Sequence, residues 1–112
     1  MSSRHDRDYL EHILQAAEAI QRSAAGGQER FITDEDAFDA GLRRLHTIAE
    51  STQRLSAELK GRHPEIPWSR IAGFRNRIVH AYMDIDPDLV WSVIEDELPA
   101  LVRLAGIELG RS

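Results

Sequence analysis

Residues 33–61 read TDEDAFDAGLRRLHTIAESTQRLSAELKG. Phe38, Gly41/Leu42, Leu45, Ile48/Ala49, Thr52, Leu55 and Leu59 recur three and four positions apart, the spacing that lines up one face of an α-helix. Thr33 and Asp34 are good N-caps, and Asp34, Glu35 and Asp36 put carboxylates at the positive end of the helix dipole. Gly61 and Pro64 end the stripe. The pattern predicts one long helix with a nearly heptad seam, the core of a bundle rather than a coiled coil.

The flanking sequence repeats that periodicity. From Tyr9, the apolar positions Leu10, Ile13, Leu14, Ala17 and Ile20 mark a first helix, with Asp6 and Asp8 near its start and Gly26-Gly27 at its end. Residues 28–33 read as a connecting loop in which Phe31 and Ile32 pack as a hydrophobic staple. Pro67 opens a third helix running to Tyr82. Asp86 caps a fourth, with Pro87 at its first position and Val90, Trp91, Ile94, Leu98, Leu101, Val102 and Leu104 on its apolar face. Pro99 removes a backbone donor and predicts a kink or break there. No stretch alternates as a strand does. The expected fold is all-α, an antiparallel bundle of four to five helices, forming a single domain over residues 1–112.

Composition narrows the function classes. The 112 residues include no cysteine, which excludes thiolate metal sites, thiol nucleophiles and disulfides. Met1 to Asp6 lacks the apolar segment of a signal peptide, and no apolar run approaches about 18 residues, so a soluble, cytoplasmic protein is expected. The net charge of −5 argues against a generic nucleic-acid coat. The charge is uneven, however: residues 60–82 sum to +4, through Lys60, Arg62, Arg70, Arg75 and Arg77, while 83–112 sum to −5. A solvated basic face explains this as readily as an anion site does. Phosphate-binding and nucleophile-elbow motifs are missing, and none of the five histidines forms a His-x-x-x-His pair, so no metal and no cofactor is expected. Glu95-Asp96-Glu97 reads as a solvated acidic face.

Arg70-Ile71-Ala72-Gly73-Phe74-Arg75-Asn76-Arg77-Ile78-Val79-His80-Ala81-Tyr82 carries more chemistry. Ile71, Phe74 and Ile78 form its core stripe. Asn76 and His80 lie one turn apart on a common face, and Arg75 shares a side with Tyr82, roughly 140° around the helix from His80. One helix does not focus Arg75 and His80 on a single atom; two copies crossing at a two-fold axis do. Arginine offers a fixed planar cation for phosphate oxygens, and histidine a group that takes and gives protons near neutral pH. With Asn76 as a polar support, the set suits RNA cleavage by the substrate's own 2′-hydroxyl. A helix end that merely places Arg and His near its C-terminal dipole fits the same residues. Arg70 and Arg77 are candidate phosphate contacts or simply exposed solubilising charges.

Arg75-Asn76-x-x-x-His80-x-Tyr82 resembles the signature of the HepT-like toxins of the HEPN superfamily, all-helical proteins of bacteria and archaea. The similarity extends from about Tyr9 to Leu101. It includes Tyr9-Leu10-Glu11-His12-Ile13-Leu14, Arg54-Leu55-Ser56, Arg62-His63-Pro64-Glu65-Ile66-Pro67-Trp68, Val90-Trp91 and Asp96-Glu97-Leu98-Pro99. Ala81 stands where many relatives have Gly, and Met83 where they have an aromatic residue. The resemblance implies a homodimeric toxin of a type II toxin–antitoxin pair, a metal-independent endoribonuclease with Arg75 and His80 catalytic and Asn76 supporting. It also implies an MNT-type nucleotidyltransferase antitoxin that transfers AMP to Tyr82. The other reading is a non-catalytic helical adaptor that binds nucleotide or RNA and serves that nucleotidyltransferase.

Overall fold

The computed structural model describes residues 3–110; Met1, Ser2, Arg111 and Ser112 lie outside it, and with them part of the N-terminal reading. Seven α-helices follow one another among the described residues: α1 (Arg4–Ser23), α2 (Gln28–Thr33), α3 (Glu35–Arg54), α4 (Ala57–Arg62), α5 (Trp68–Ala81), α6 (Pro87–Asp96) and α7 (Leu98–Glu108). A 3₁₀ turn, Tyr82–Asp84, follows α5. The architecture is all-α, as the periodicity predicts, and no helix of the described residues is long and apolar enough to cross a membrane.

The bundle is built on α1 and α3, which pack lengthwise, with α7 against α1 and α5 against α3. Their buried faces are the stripes read from the sequence. Leu10, Ile13, Ala17 and Ile20 of α1 meet Leu42, Leu45, Ile48 and Ala49 of α3 in one core cluster, which Ile71, Phe74 and Ile78 close from α5. Asp34 caps α3 by accepting from the Ala37 N–H at 3.1 Å, and Asp86 caps α6 by accepting from the Asp88 N–H at 2.9 Å.

Three expectations need correction. Residues 28–33 are a helix turn, not a loop: Gly27, at φ 95°, adopts a backbone that side chains oppose and so redirects the chain into α2. That places Phe31 in the core, 1% exposed, against Phe38 and Trp91.

The long second helix is two, because Asp6 interrupts it. Asp6 is 2% exposed and accepts from the Ser56 N–H at 2.8 Å and the Ser56 hydroxyl at 2.7 Å. Ser56 in turn accepts from the Leu59 N–H and caps α4. Leu55 turns extended there, yet Leu55 and Leu59 stay buried, so the stripe reads unbroken across a broken helix.

The third helix ends one residue early. Ala81 leaves helical geometry at φ −137°, ψ 37°, and Tyr82 opens the 3₁₀ turn. The break expected near Pro99 falls at Glu97, φ −107°, where α6 gives way to α7.

Candidate functional site

Helix α5 presents the motif. Pro67 precedes it, and Ile71, Phe74 and Ile78 press its inner face onto α3 and α7, which turns the remaining positions outward. Asn76, Arg77 and His80 are exposed, and Arg75 lies half-buried at the flank facing α3. The apolar side chains beside them are also uncovered: Val79 is 45% exposed, Tyr82 41% and Met83 91%.

Arg75 is held by a residue that sequence reasoning missed. Its Nε donates to Oε1 of Glu50 on α3, its Nη1 donates to Oδ1 of Asn76 at 3.2 Å, and its Nη2 makes no hydrogen bond among the described residues. Glu50 also faces Nε2 of His46, one turn earlier on α3, at 3.5 Å. The hydrogen bond from Arg75 holds the Glu50 carboxyl below its ordinary value, outweighing the burial that would raise it, and the charges of Arg75 and His46 act the same way. The guanidinium is therefore oriented, with Nη2 left to donate to an anion. The i, i+4 spacing of His46 and Glu50 is visible in the sequence. The pairing with Arg75, 25 positions away, has no local signal.

His80 stands apart from this chain of contacts. Among the described residues its ring makes no hydrogen bond, and no hydrogen bond joins it to Arg75. Asn76, one turn before His80 on the exposed face of α5, accepts from Arg75. Helical arithmetic sets Tyr82 on the side of Arg75; the break at Ala81 removes that premise, and the Tyr82 hydroxyl is unbonded among the described residues.

Arg70 and Arg77 line a hollow of about 370 Å³ between α5 and α6, floored by Phe74, Leu89 and Val93. Arg70 donates to Oε1 of Glu97 at 3.3 Å. Glu97, read from sequence as part of a solvated acidic face, is 7% exposed; Glu95 and Asp96 are exposed as expected. The spacing carries the signal: Glu97 lies three residues after Ile94 and four before Leu101, on the apolar face of the helical wheel, although it belongs to an acidic run.

A sequence model of the family described as "Ribonuclease HepT-like" matches residues 13–106. A candidate RNase of Caldanaerobacter subterraneus is 36% identical over 98 residues, covering 87% of this chain and 88% of the relative. A protein of Thermococcus cleftensis with the name probable ribonuclease HepT is 33% identical over 99 residues, covering 88% and 90%. A candidate RNase of Methanocaldococcus jannaschii is 28% identical over 104 residues, covering 92% and 95%. No solved structure matches the chain.

Proposed function

This chain belongs to the ribonuclease HepT-like family, and on that premise we propose that it is an endoribonuclease toxin whose site is completed between two copies. The observation that carries this reading is the outer face of α5. Among the described residues, one protomer exposes His80 and leaves Nη2 of Arg75 unbonded, with no hydrogen bond between the two residues, beside an uncovered apolar patch of Val79 and Met83. Pairing two α5 helices about a two-fold axis covers the patch and sets each Arg75 near a histidine.

In that arrangement His80 takes the proton of a substrate 2′-hydroxyl, whose oxygen attacks the adjacent phosphorus. The P–O5′ bond breaks, and the partner subunit's His80 protonates the leaving 5′-oxygen, giving a 2′,3′-cyclic phosphate and a 5′-hydroxyl. Arg75 supplies two things: a fixed charge for the pentavalent oxygens, and an orientation set by Glu50 and Asn76. No step calls on a metal ion. The test is cleavage of RNA in excess chelator: wild type cuts, while His80→Ala and Arg75→Ala each lose at least about a hundredfold in rate. Cleavage that survives both substitutions, or that chelator abolishes, would overturn the mechanism.

In the same scheme the protein works in the cytoplasm, paired with an MNT-type nucleotidyltransferase that transfers AMP to Tyr82. The exposure of Tyr82 and its unbonded hydroxyl support this, since an incoming transferase needs both. Nucleotidylation adds bulk and negative charge at the end of α5 and repels RNA phosphate. A Tyr82→Phe variant should escape silencing by catalytically active antitoxin; continued silencing would remove the modification from the scheme. The ion pair of Arg75 with Glu50 favours a second reading, since a neutralised guanidinium suits an adaptor that binds RNA or nucleotide without cutting it. Wild-type protein, shown unmodified on Tyr82 by mass spectrometry and unable to cleave, selects the adaptor.

A further inference from the structure

We propose that the groove between α1 and α3 is a track for single-stranded RNA, leading the strand toward Arg75; the proposal rests on the ribonuclease reading above. Two hollows make the groove. One, of about 350 Å³, is lined by His12 and Gln15 of α1 and by Arg43 and Arg44 of α3. The other, of about 380 Å³, is lined by Tyr9 of α1 and by His46, Glu50 and Arg54 of α3. Thr47 borders both, so they are continuous along the helix pair. Glu50, which holds Arg75, lines the second hollow between His46 and Arg54.

The two walls differ in chemistry. On α3, Arg43, Arg44 and Arg54 make no ion pair among the described residues, although the molecule carries an excess of carboxylates and pairs Arg62, Arg70 and Arg75 with them. Glu50 is the one carboxylate lining either hollow among the described residues, and Arg75 engages it. On α1, His5, Tyr9 and His12 form a ladder of edge-on rings, with centroids 4.9 and 5.8 Å apart. Cations beside part-exposed rings are what a flexible strand with phosphates and unpaired bases requires. The stretch from Arg43 to Arg54 spans about 16 Å of helix axis, room for a few nucleotides. A protein-docking face needs an apolar centre, and the large exposed apolar side chains, Val79, Tyr82, Met83 and Ile107, belong to α5, its 3₁₀ turn and α7.

The probe is a fluorescent 2′-O-methyl oligonucleotide of about a dozen residues, which lacks the attacking hydroxyl, titrated by anisotropy over a range of salt. Replacing Arg43 and Arg44 together by Ala should weaken binding about tenfold near 0.1 M salt. It should also lower the slope of log affinity on log salt by about 1.4, at roughly 0.7 for each phosphate no longer neutralised. Arg54→Ala, at the other hollow, should lower the slope by about half as much. Both variants should raise KM for long RNA and leave cleavage of a dinucleotide unchanged, with wild-type circular dichroism. Unchanged affinity and slope in both variants would overturn the track, whether or not wild type cleaves. A wild type that cleaves nothing, yet shows the expected drop in slope on substitution, would remove the nuclease reading and leave the track standing.

Discussion

Glu50 is the residue on which the site turns. It sits between His46 and Arg75, and its carboxyl titrates below the ordinary value of 4.5 mainly because Arg75 donates to it. A carboxyl whose folded pKa is depressed contributes stability that is fully present above its unfolded pKa and fades as pH falls through the folded one. The side chains of the pair are 31% and 36% exposed, so solvent screening limits that contribution to about 0.2–1 kcal/mol. Glu50→Gln should therefore lower the urea midpoint slightly at pH 7, with the gap to wild type narrowing as pH falls below 4.5. A gap of constant size across that range would mean packing, not charge, is what the substitution removes.

At the scale of elements, the short helix α2 shows how packing reshapes a segment that reads as loop. Its anchor is Phe31, buried against Phe38 and Trp91 and lying directly over Gly41 of α3. A Cβ built on Gly41 would stand 2.5 Å from Cζ of Phe31. In an open helix, Gly→Ala stabilises by up to about 1 kcal/mol. Here the ring has nowhere to move, and overpacking reverses the sign. Gly41→Ala should destabilise by about 1–3 kcal/mol in urea unfolding, and much of that loss should vanish in a Phe31→Leu background. A stabilised Gly41→Ala single variant would show that Phe31 is free to shift. The same scale explains why Asp6 does more than complement a helix dipole: its partner Ser56 is fifty residues away, at the joint of α3 and α4.

For the whole molecule, the charges resolve into regions. The net −5 is distributed so that α5 and the groove of α1 and α3 carry cations, while α6 carries exposed carboxylates. The segment sum of +4 over residues 60–82 is legible in sequence; the cations of α3 are not, because residues 29–59 sum to −3 as a linear stretch. The apolar patch at the end of α5 belongs to the same scale. Val79→Asp and Met83→Asp put charge into the surface through which two copies are proposed to pair. Each should shift the particle measured by light scattering from dimer to monomer and abolish RNA cleavage with it, leaving helicity intact. Variants that lose the dimer and keep full activity would assign the entire site to one protomer.

The sequence by itself determined the all-helical class, the buried stripes, the caps at Asp34 and Asp86, and the family motif on α5, because each is written in residues a few positions apart. Only the tertiary structure decided where helices break and what the site residues touch. Asp6 divides α3 from α4, Arg70 pairs with Glu97, Glu50 seizes Arg75, and arginines of α3 line up beside rings of α1. Each of these joins segments distant along the chain. Helical periodicity records which face is buried; it does not record which side chain of another helix will be waiting there.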